Sequence, residues 1–362
     1  MTPRDETELC EAIRGAAGPL SLRGGGTRGV FGPGTVLETS GLSGVRLYEP
    51  GALTLVAGAG TPLAEVEAVL AGERQRLAFE VPDLRGALGR AGVSTIGGVA
   101  AANAAGPRRV QAGACRDHMI GLRFVDGAGQ VVKSGGRVMK NVTGLDLVKL
   151  LAGSHGTLGV ISEVAFKLQA IPEAEVTLRA EGLSVTEGLA ALRRALGSPF
   201  EVSGAAHGAF GTVLRLEGMA ASLRYRVGQL RGLLGGTWEE VASPWAMIRD
   251  GGGVGAGALW RVSVKPTEAE RVVGALAGVE HDAAFDWGGG LIWIAVRGVP
   301  DGGAARIRGA LAGIGHATLL RAEPGMTPVP VFHPEAPGVA ALSRALRAKF
   351  DPRGILNAGI MG

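Results

Sequence analysis

Residues 94–109 read STIGGVAAANAAGPRR. Apolar residues recur there with neither the period of two that marks a half-buried strand nor the 3.6 of an amphipathic helix. Gly97, Gly98 and Gly106 leave the backbone bare, and Ala100, Ala101, Ala102, Ala104 and Ala105 add almost no side chain. Asn103 is the one polar side chain in the middle. Such a surface lets a large, flat or charged ligand lie against the main chain. A second run, RGGGT at residues 23–27, has the same character. Two such loops suggest a ligand with both a pyrophosphate and a wide ring system. The plain alternative is that a chain with 62 glycines simply carries glycine runs.

At 362 residues the chain can form two domains around sizeable cores. Hydrophobic residues make up 46% and charged residues 19%, a globular composition rather than a disordered one. No apolar run reaches the length of a membrane-spanning helix. The opening MTPRDETELCEAI carries acids and no apolar core, so no secretory signal is expected. Cys10 and Cys115 are too few for a disulfide framework and lack metal-ligand spacing, which suits a reducing cytoplasm. The net charge is +4, but the arginines are scattered and aromatic residues are only 4%, so a base-stacking nucleic-acid platform is not expected. No two histidines have the spacing of a helix-borne metal pair.

Along the chain, Thr61 is expected to cap a helix with Pro62 at its first position and Leu63, Val66, Val69 and Leu70 buried. Gly58-Ala59-Gly60 before that helix resembles half of a nicotinamide-dinucleotide fingerprint, but Leu63 stands where a third glycine belongs and no βαβ series follows. Asp126-Gly127-Ala128-Gly129 predicts a hairpin turn. Up to residue 170 the pattern is short strands with a few helices, an α+β pattern. Ile171-Pro172 marks a boundary. From 173 to 320, strands at 176–179, 213–216, 260–264 and 291–296 alternate with helices at 185–196, 223–234, 268–277 and 304–311. That order predicts a small antiparallel sheet covered by helices. A proline-punctuated stretch then leads to a last helix at 339–350.

Taken together, the motifs resemble a known family. They are RGGGT at 23–27, TPLAEVEAVL at 61–70, TIGGVAAANAAGPRR at 95–109, GACRD at 113–117, GLRFVDGAGQVVKSGGRVMKNVTGLDL at 121–147, LLAGSHGTLGVISEVAFKL at 150–168 and FDPRGILNAG at 350–359. In this order they resemble the FAD-binding oxidoreductases of the vanillyl-alcohol-oxidase type, above all the FAD-binding E subunits of bacterial glycolate oxidase. Between 173 and 320 only DWGGGLIW at 286–293 continues the likeness.

The resemblance implies a two-part PCMH-type FAD-binding domain over residues 1–170, a smaller α+β cap over 171–324, and a C-terminal segment, 325–362, that returns to the first domain. It implies that Arg23, Gly24, Gly25, Gly26 and Thr27 form a nest for the FAD pyrophosphate, with Thr95, Ile96, Gly97 and Gly98 supporting it from the other side. Ala101, Ala102 and Asn103 would line the flavin. Gly113 and Asp117 belong to the family's GxxRD segment, where Asp117 could equally cap a turn. Gly159, Val160 and Ile161 would meet the adenine through backbone groups, and Asn357 would lie near the flavin edge. The family's usual proline is Ala358 here. Relatives that tether flavin through the first loop use a histidine after the glycines. Thr27 occupies that place, so FAD is expected to be non-covalent. Gly25→Val and Gly98→Val are each expected to clear the site while leaving the chain soluble.

The implied function is that of the FAD-binding subunit in a multi-subunit glycolate (2-hydroxy acid) oxidase, with a homologous catalytic flavin subunit and an iron–sulfur subunit as partners. Any association with the inner membrane would be peripheral and run through those partners. Alternatives are a self-sufficient FAD-dependent 2-hydroxy acid dehydrogenase and a flavin-free scaffold. No cap motif like HGDGNLH occurs between 171 and 320, and no catalytic residue is assigned. Arg249, Arg261 and Lys265 could each fix a carboxylate, but no paired base is evident. His155 and His118 are expected at the surface, Trp287 and Trp293 in the cap's core, and Cys115 as a small packed residue. Residues 251–260 and 287–294 are the candidate docking surfaces, although their sequence equally fits buried core.

Overall fold

A computed structural model describes residues 1–28, 30–136 and 145–361, so residues 137–144 of the 121–147 motif lie outside the described residues. The chain forms two compact units. One comprises Met1–Ala105, Gly113–Ile171 and Pro334–Gly362, the other Gly106–Ala112 and Pro172–His333. Two boundaries differ from expectation. The return to the first unit begins at Pro334 rather than at 325, and Gly106–Ala112, which starts with the last four residues of the opening stretch, belongs to the second unit.

In the first unit the central strand is Val160–Ala170. Thr54–Gly58 and Met119–Val125 flank it, Val45–Glu49 and Val131–Gly135 lie outside these, and Gln75–Leu77 pairs its far end. All of these pairings are antiparallel. One face is packed by Leu63, Val66 and Leu70 of helix Leu63–Gly72, by Ile96 and Val99, and by Cys115, which is fully buried. The hairpin turn forms around Asp126, whose Oδ1 accepts the N–H groups of Ala128 and Gln130. Thr61 does not cap its helix, and Val69 on that helix is half-buried rather than buried. Its hydroxyl donates to Gly58 O (2.6 Å) and accepts the Gly44 N–H (2.9 Å), closing the preceding turn. Gly58 and Gly60 answer to packing: a β-carbon on either would fall 2.2 Å from Leu42 O or 2.0 Å from Thr39 O. With Thr54–Gly58 paired antiparallel, there is no βαβ unit for a nicotinamide fingerprint.

A second sheet in this unit has two parallel strands, Leu20–Arg23 and Thr35–Glu38. Helix Glu6–Arg14, with Asp5 accepting the Glu8 N–H at its start, buries Leu9 and Ile13 against Leu20, Leu22, Leu37, Ile355 and Leu356. The C-terminal tail is thereby held beside the first glycine loop.

The second unit is an eight-stranded antiparallel sheet in the order Glu239–Val241, Ala174–Ala180, Gly211–Gly218, Val202–Gly208, His281–Asp286, Leu291–Val296, Ala258–Val264 and Gly315–Arg321. Helices Val185–Leu196, Ala220–Leu234, Ala269–Gly274 and Ala304–Ala310 supply Leu189, Leu192, Leu223, Val227, Leu230, Val272 and Ile307 to a core over one face. The sheet is larger than expected. Strands Val202–Gly208 and His281–Asp286 carry small residues in place of an apolar alternation, which hides them from pattern reading. Trp293 does not enter that core. Ile292 and Ile294 do, so Trp293 alternates onto the opposite face. The expected docking surfaces are not surfaces: Trp260, Trp287 and residues 291–294 are buried, and within 251–260 only Gly255 and Ala256 are exposed.

Candidate functional site

The site is in the first unit, and Asn357 assembles it. The tail joins strand Leu20–Arg23 through Leu20 N–H to Ile355 O (2.7 Å) and Asn357 N–H to Leu20 O (3.0 Å). The Asn357 side chain then bonds in two directions: Oδ1 accepts the Leu22 N–H and Nδ2 donates to His155 O, each at 2.8 Å. Asn357 has φ +44, a left-handed conformation that asparagine tolerates better than most residues. One carboxamide, 4% exposed, thus holds together the first loop, the SHGTLG loop and the tail.

Around this stitch lie two adjoining hollows that share Leu22, Gly24, Gly98, Ala101, His155 and Asn357. One adds Arg23, Thr39, Gly97, Gly156, Gly159, Val160 and Ile161. The other adds Gly25, Gly26, Thr27, Arg28, Val30, Phe31, Thr95 and Ala102. Fourteen of the eighteen residues expected at the FAD site therefore line one continuous cleft. Ile96, Asn103, Gly113 and Asp117 do not. Ile96 is fully buried in the core beneath. Asn103 Oδ1 accepts the Arg116 N–H (3.0 Å), and Asp117 Oδ2 accepts the Ala114 N–H (2.8 Å), closing the turn that Gly113 opens at φ +88.

The first loop is held by backbone-to-backbone packing. A β-carbon at Gly25 would fall 1.4 Å from Val93 O, and one at Gly92 would fall 2.1 Å from Gly25 O. Arg28 fastens the loop by donating to Ser94 Oγ (2.6 Å) and Pro82 O (2.7 Å). Gly26 is left-handed, with φ +71. No described residue accepts a hydrogen bond from the N–H groups of Gly25, Gly26 or Thr27. A left-handed residue within a run of free N–H groups is the shape of an anion nest. Two guanidiniums reinforce its sign: Arg23 and Arg90 lie 4.7 and 4.8 Å from the centre of the Phe31 ring. Opposite, Thr95 Oγ1 accepts the Gly98 N–H (3.3 Å) at the start of helix Ile96–Ala101, and Gly97, Gly98 and Ala101 give that wall its bare surface.

His155 departs from expectation. It lines both hollows rather than the surface, because Asn357 holds its carbonyl and Ala101 O accepts its N–H (3.0 Å). Burial pushes its imidazole pKa down to about 4, so the ring is neutral near pH 7. The signal that could have found it is its place in the same loop as Gly159. His118 also differs: half-buried, it stacks on Phe79 at 6.0 Å.

The cleft fits FAD on two counts. Its walls are glycine and alanine where a ring system must press on backbone, and one end offers free N–H groups beside two guanidiniums for a pyrophosphate.

Comparisons with known proteins agree. Residues 1–135 match the FAD binding domain family. Glycolate oxidase subunit GlcE of Escherichia coli (strain K12) is 33% identical over 350 residues, covering 95% of this chain and 92% of that protein. Glycolate oxidase subunit GlcD of Bacillus subtilis (strain 168) is 43% identical over 88 residues, 24% of this chain and 19% of that protein. Among solved structures, an alkyldihydroxyacetonephosphate synthase superposes with a TM-score of 0.70 at 14% identity, covering 99% of this chain and 75% of that one, a likeness of fold. Because the likeness to GlcE runs through nearly the whole of both chains and the cleft suits the flavin, this chain belongs to the GlcE family of FAD-linked oxidoreductases.

Proposed function

We propose that the chain is the FAD-binding subunit of a multi-subunit oxidase of glycolate or a related 2-hydroxy acid, passing electrons from its flavin to a homologous flavin subunit and an iron–sulfur subunit. The near full-length likeness to a glycolate oxidase subunit carries this reading. Bound FAD would supply two-electron chemistry. The residues that hold it are those of the cleft. The N–H groups of Gly25, Gly26 and Thr27 receive the pyrophosphate, with the guanidiniums of Arg23 and Arg90 beside them. Gly97, Gly98, Ala101 and Ala102 give the ring system a flat wall, and Gly159, Val160 and Ile161 bound the other end. Asn357 keeps the walls together, and neutral His155 adds no charge to the cleft. The chain's two cysteines cannot ligate a four-cysteine cluster, so electrons entering such a cluster must leave this chain. No described helix is long and apolar enough to cross a membrane. We place the complex in the cytoplasm, with any membrane association running through its partners.

Two measurements test this reading. Acid precipitation of the yellow chain should leave its flavin in the supernatant, because Thr27 has no imidazole to form a tether; colour that stays with the pellet would refute non-covalent binding. A tagged chain drawn from native extract should bring down a second flavoprotein and an iron–sulfur protein, and glycolate should bleach flavin in the assembly. The isolated chain should bleach far more slowly than about 1 per second, a slow enzyme's turnover. Bleaching at that rate or faster by the chain alone would establish a self-sufficient dehydrogenase instead.

A further inference from the structure

We propose that helix Pro337–Phe350 is the element by which the chain docks on a partner subunit, and that the partner offers an apolar groove rimmed by carboxylates. The helix runs fourteen residues and buries none of them. Helices of that length are marginal in water on their own and draw most of their stability from packing an apolar face. This one leaves its apolar face open. Val339, Leu342 and Leu346 are 52%, 68% and 38% exposed, and their spacing of three and four residues sets them on one stripe. No other described helix carries more than one exposed large apolar side chain. A single exposed apolar residue needs no account, whereas three in register mark a contact surface.

The helix is set in place beforehand. Ser343 donates to Glu335 Oε1 (2.8 Å), tying it to the segment before it. Phe350 lies on Phe124 with ring centres 6.0 Å apart, and its carbonyl accepts the Gly127 N–H (2.8 Å). Docking on a helix already fixed to the first unit spares the ordering entropy that a loose segment would lose.

Charge says what covers the stripe. The helix's charged residues are Arg344, Arg347 and Lys349, all cations, and none of their side chains has a hydrogen-bond or ion-pair partner among the described residues. Three uncompensated cations around an apolar seam call for a surface with carboxylates. A second copy of this chain would bring three more cations to the same seam, so self-pairing is opposed. A lipid surface is also a poorer fit. At roughly 100° per residue the three large side chains span about 60° of arc, the width of a helix–helix seam rather than of the broader face that enters lipid. Phe350, the helix's single aromatic residue, is half-buried on Phe124 instead of facing outward, as it would in an interfacial helix. The multi-subunit reading above supplies the partner. The helix supplies the surface that segments 251–260 and 287–294, being largely buried, do not.

The test replaces Leu342 by benzoylphenylalanine, a photo-crosslinker, in the tagged full chain expressed in its native host, and maps the adduct in the purified complex by mass spectrometry. An adduct to the second flavin subunit or the iron–sulfur subunit, on a segment bearing Asp or Glu, is expected. Leu342→Glu, and the double reversal Arg344→Glu with Lys349→Glu, should each lower the partner retained by about tenfold or more. Flavin content and melting temperature should stay as in wild type, because all three side chains are exposed. Added salt should weaken the wild-type complex. Full retention of partner by a folded Leu342→Glu chain overturns the docking helix and leaves the multi-subunit reading standing. Unchanged retention in the double reversal overturns the acidic partner. An adduct only to a second copy of this chain, or Leu342-dependent sedimentation with phosphatidylglycerol vesicles in place of subunit retention, overturns the proposal as well. A wild-type chain that retains no subunit defeats both readings.

Discussion

Gly98→Val should give a folded chain that purifies without flavin. Gly98 lies in helix Ile96–Ala101 and borders both hollows of the cleft. Within 4 Å of a β-carbon there, only Thr95 Oγ1 stands close, at 3.2 Å, so the fold has little reason to refuse a side chain. The γ-carbons of valine would instead fill space needed by the flavin. Overpacking by about 1–3 kcal/mol weakens FAD by roughly fivefold to more than a hundredfold. The ratio of flavin to protein absorbance reads the loss, and circular dichroism confirms the fold. Gly25→Val behaves differently, and here the structure revises the pairing of these two glycines. Its β-carbon would overlap Val93 O, a backbone atom that cannot move aside, so the loop itself must break. That variant should be insoluble or grossly destabilised, a loss of fold rather than of ligand space. Full flavin occupancy in Gly98→Val would remove the helix from the flavin's wall. A well-folded Gly25→Val chain would show that Gly25 answers to the ligand after all.

The two glycines show what the chain reveals about itself and what it hides. RGGGT and STIGGVAAA are legible as backbone-bare loops because small side chains are a local property. The reason for each glycine is not local: Gly25 answers to Val93, and Gly97, whose N–H donates to Ala59 O (2.8 Å), answers to Ala59. Asn357 could be matched to a motif, yet its bonds reach Leu22 and His155, 335 and 202 residues away, so the bonding had no sequence signal. His155 reads as a surface residue for the same reason, since its carbonyl is held by the distant Asn357. The opening stretch read as one piece through Arg109, but its physics divides at Gly106, because Arg108 finds its carboxylate 109 residues on. Strand Val202–Gly208 has no strand signature because Gly204 leaves room for the Trp245 ring, which a β-carbon would approach to 2.9 Å; packing selects a small residue where propensity would ask for a branched one.

Glu217→Ala should be among the most destabilising substitutions in the second unit, at about 3–5 kcal/mol, and costlier than Arg108→Ala. Arg108 and Glu217 side chains are each 5% exposed and meet in a bidentate pair, while Arg215, 2% exposed, lies 3.7 Å from the same carboxylate. Removing Glu217 leaves two buried guanidiniums without their shared carboxylate. Removing Arg108 still leaves the carboxylate with Arg215, which is also anchored by Ser203 O and Oγ at 3.2 Å. Replacing both partners by apolar residues, Arg108→Met with Glu217→Leu, should recover most of the loss, because it leaves fewer unmatched charges. The measurement is clean because all five tryptophans, Trp238, Trp245, Trp260, Trp287 and Trp293, lie in this unit, so urea unfolding followed by tryptophan fluorescence reports on it alone. A double-mutant cycle separates the pair from its neighbours. A loss below about 1 kcal/mol for Glu217→Ala would show the carboxylate worth no more than a surface pair.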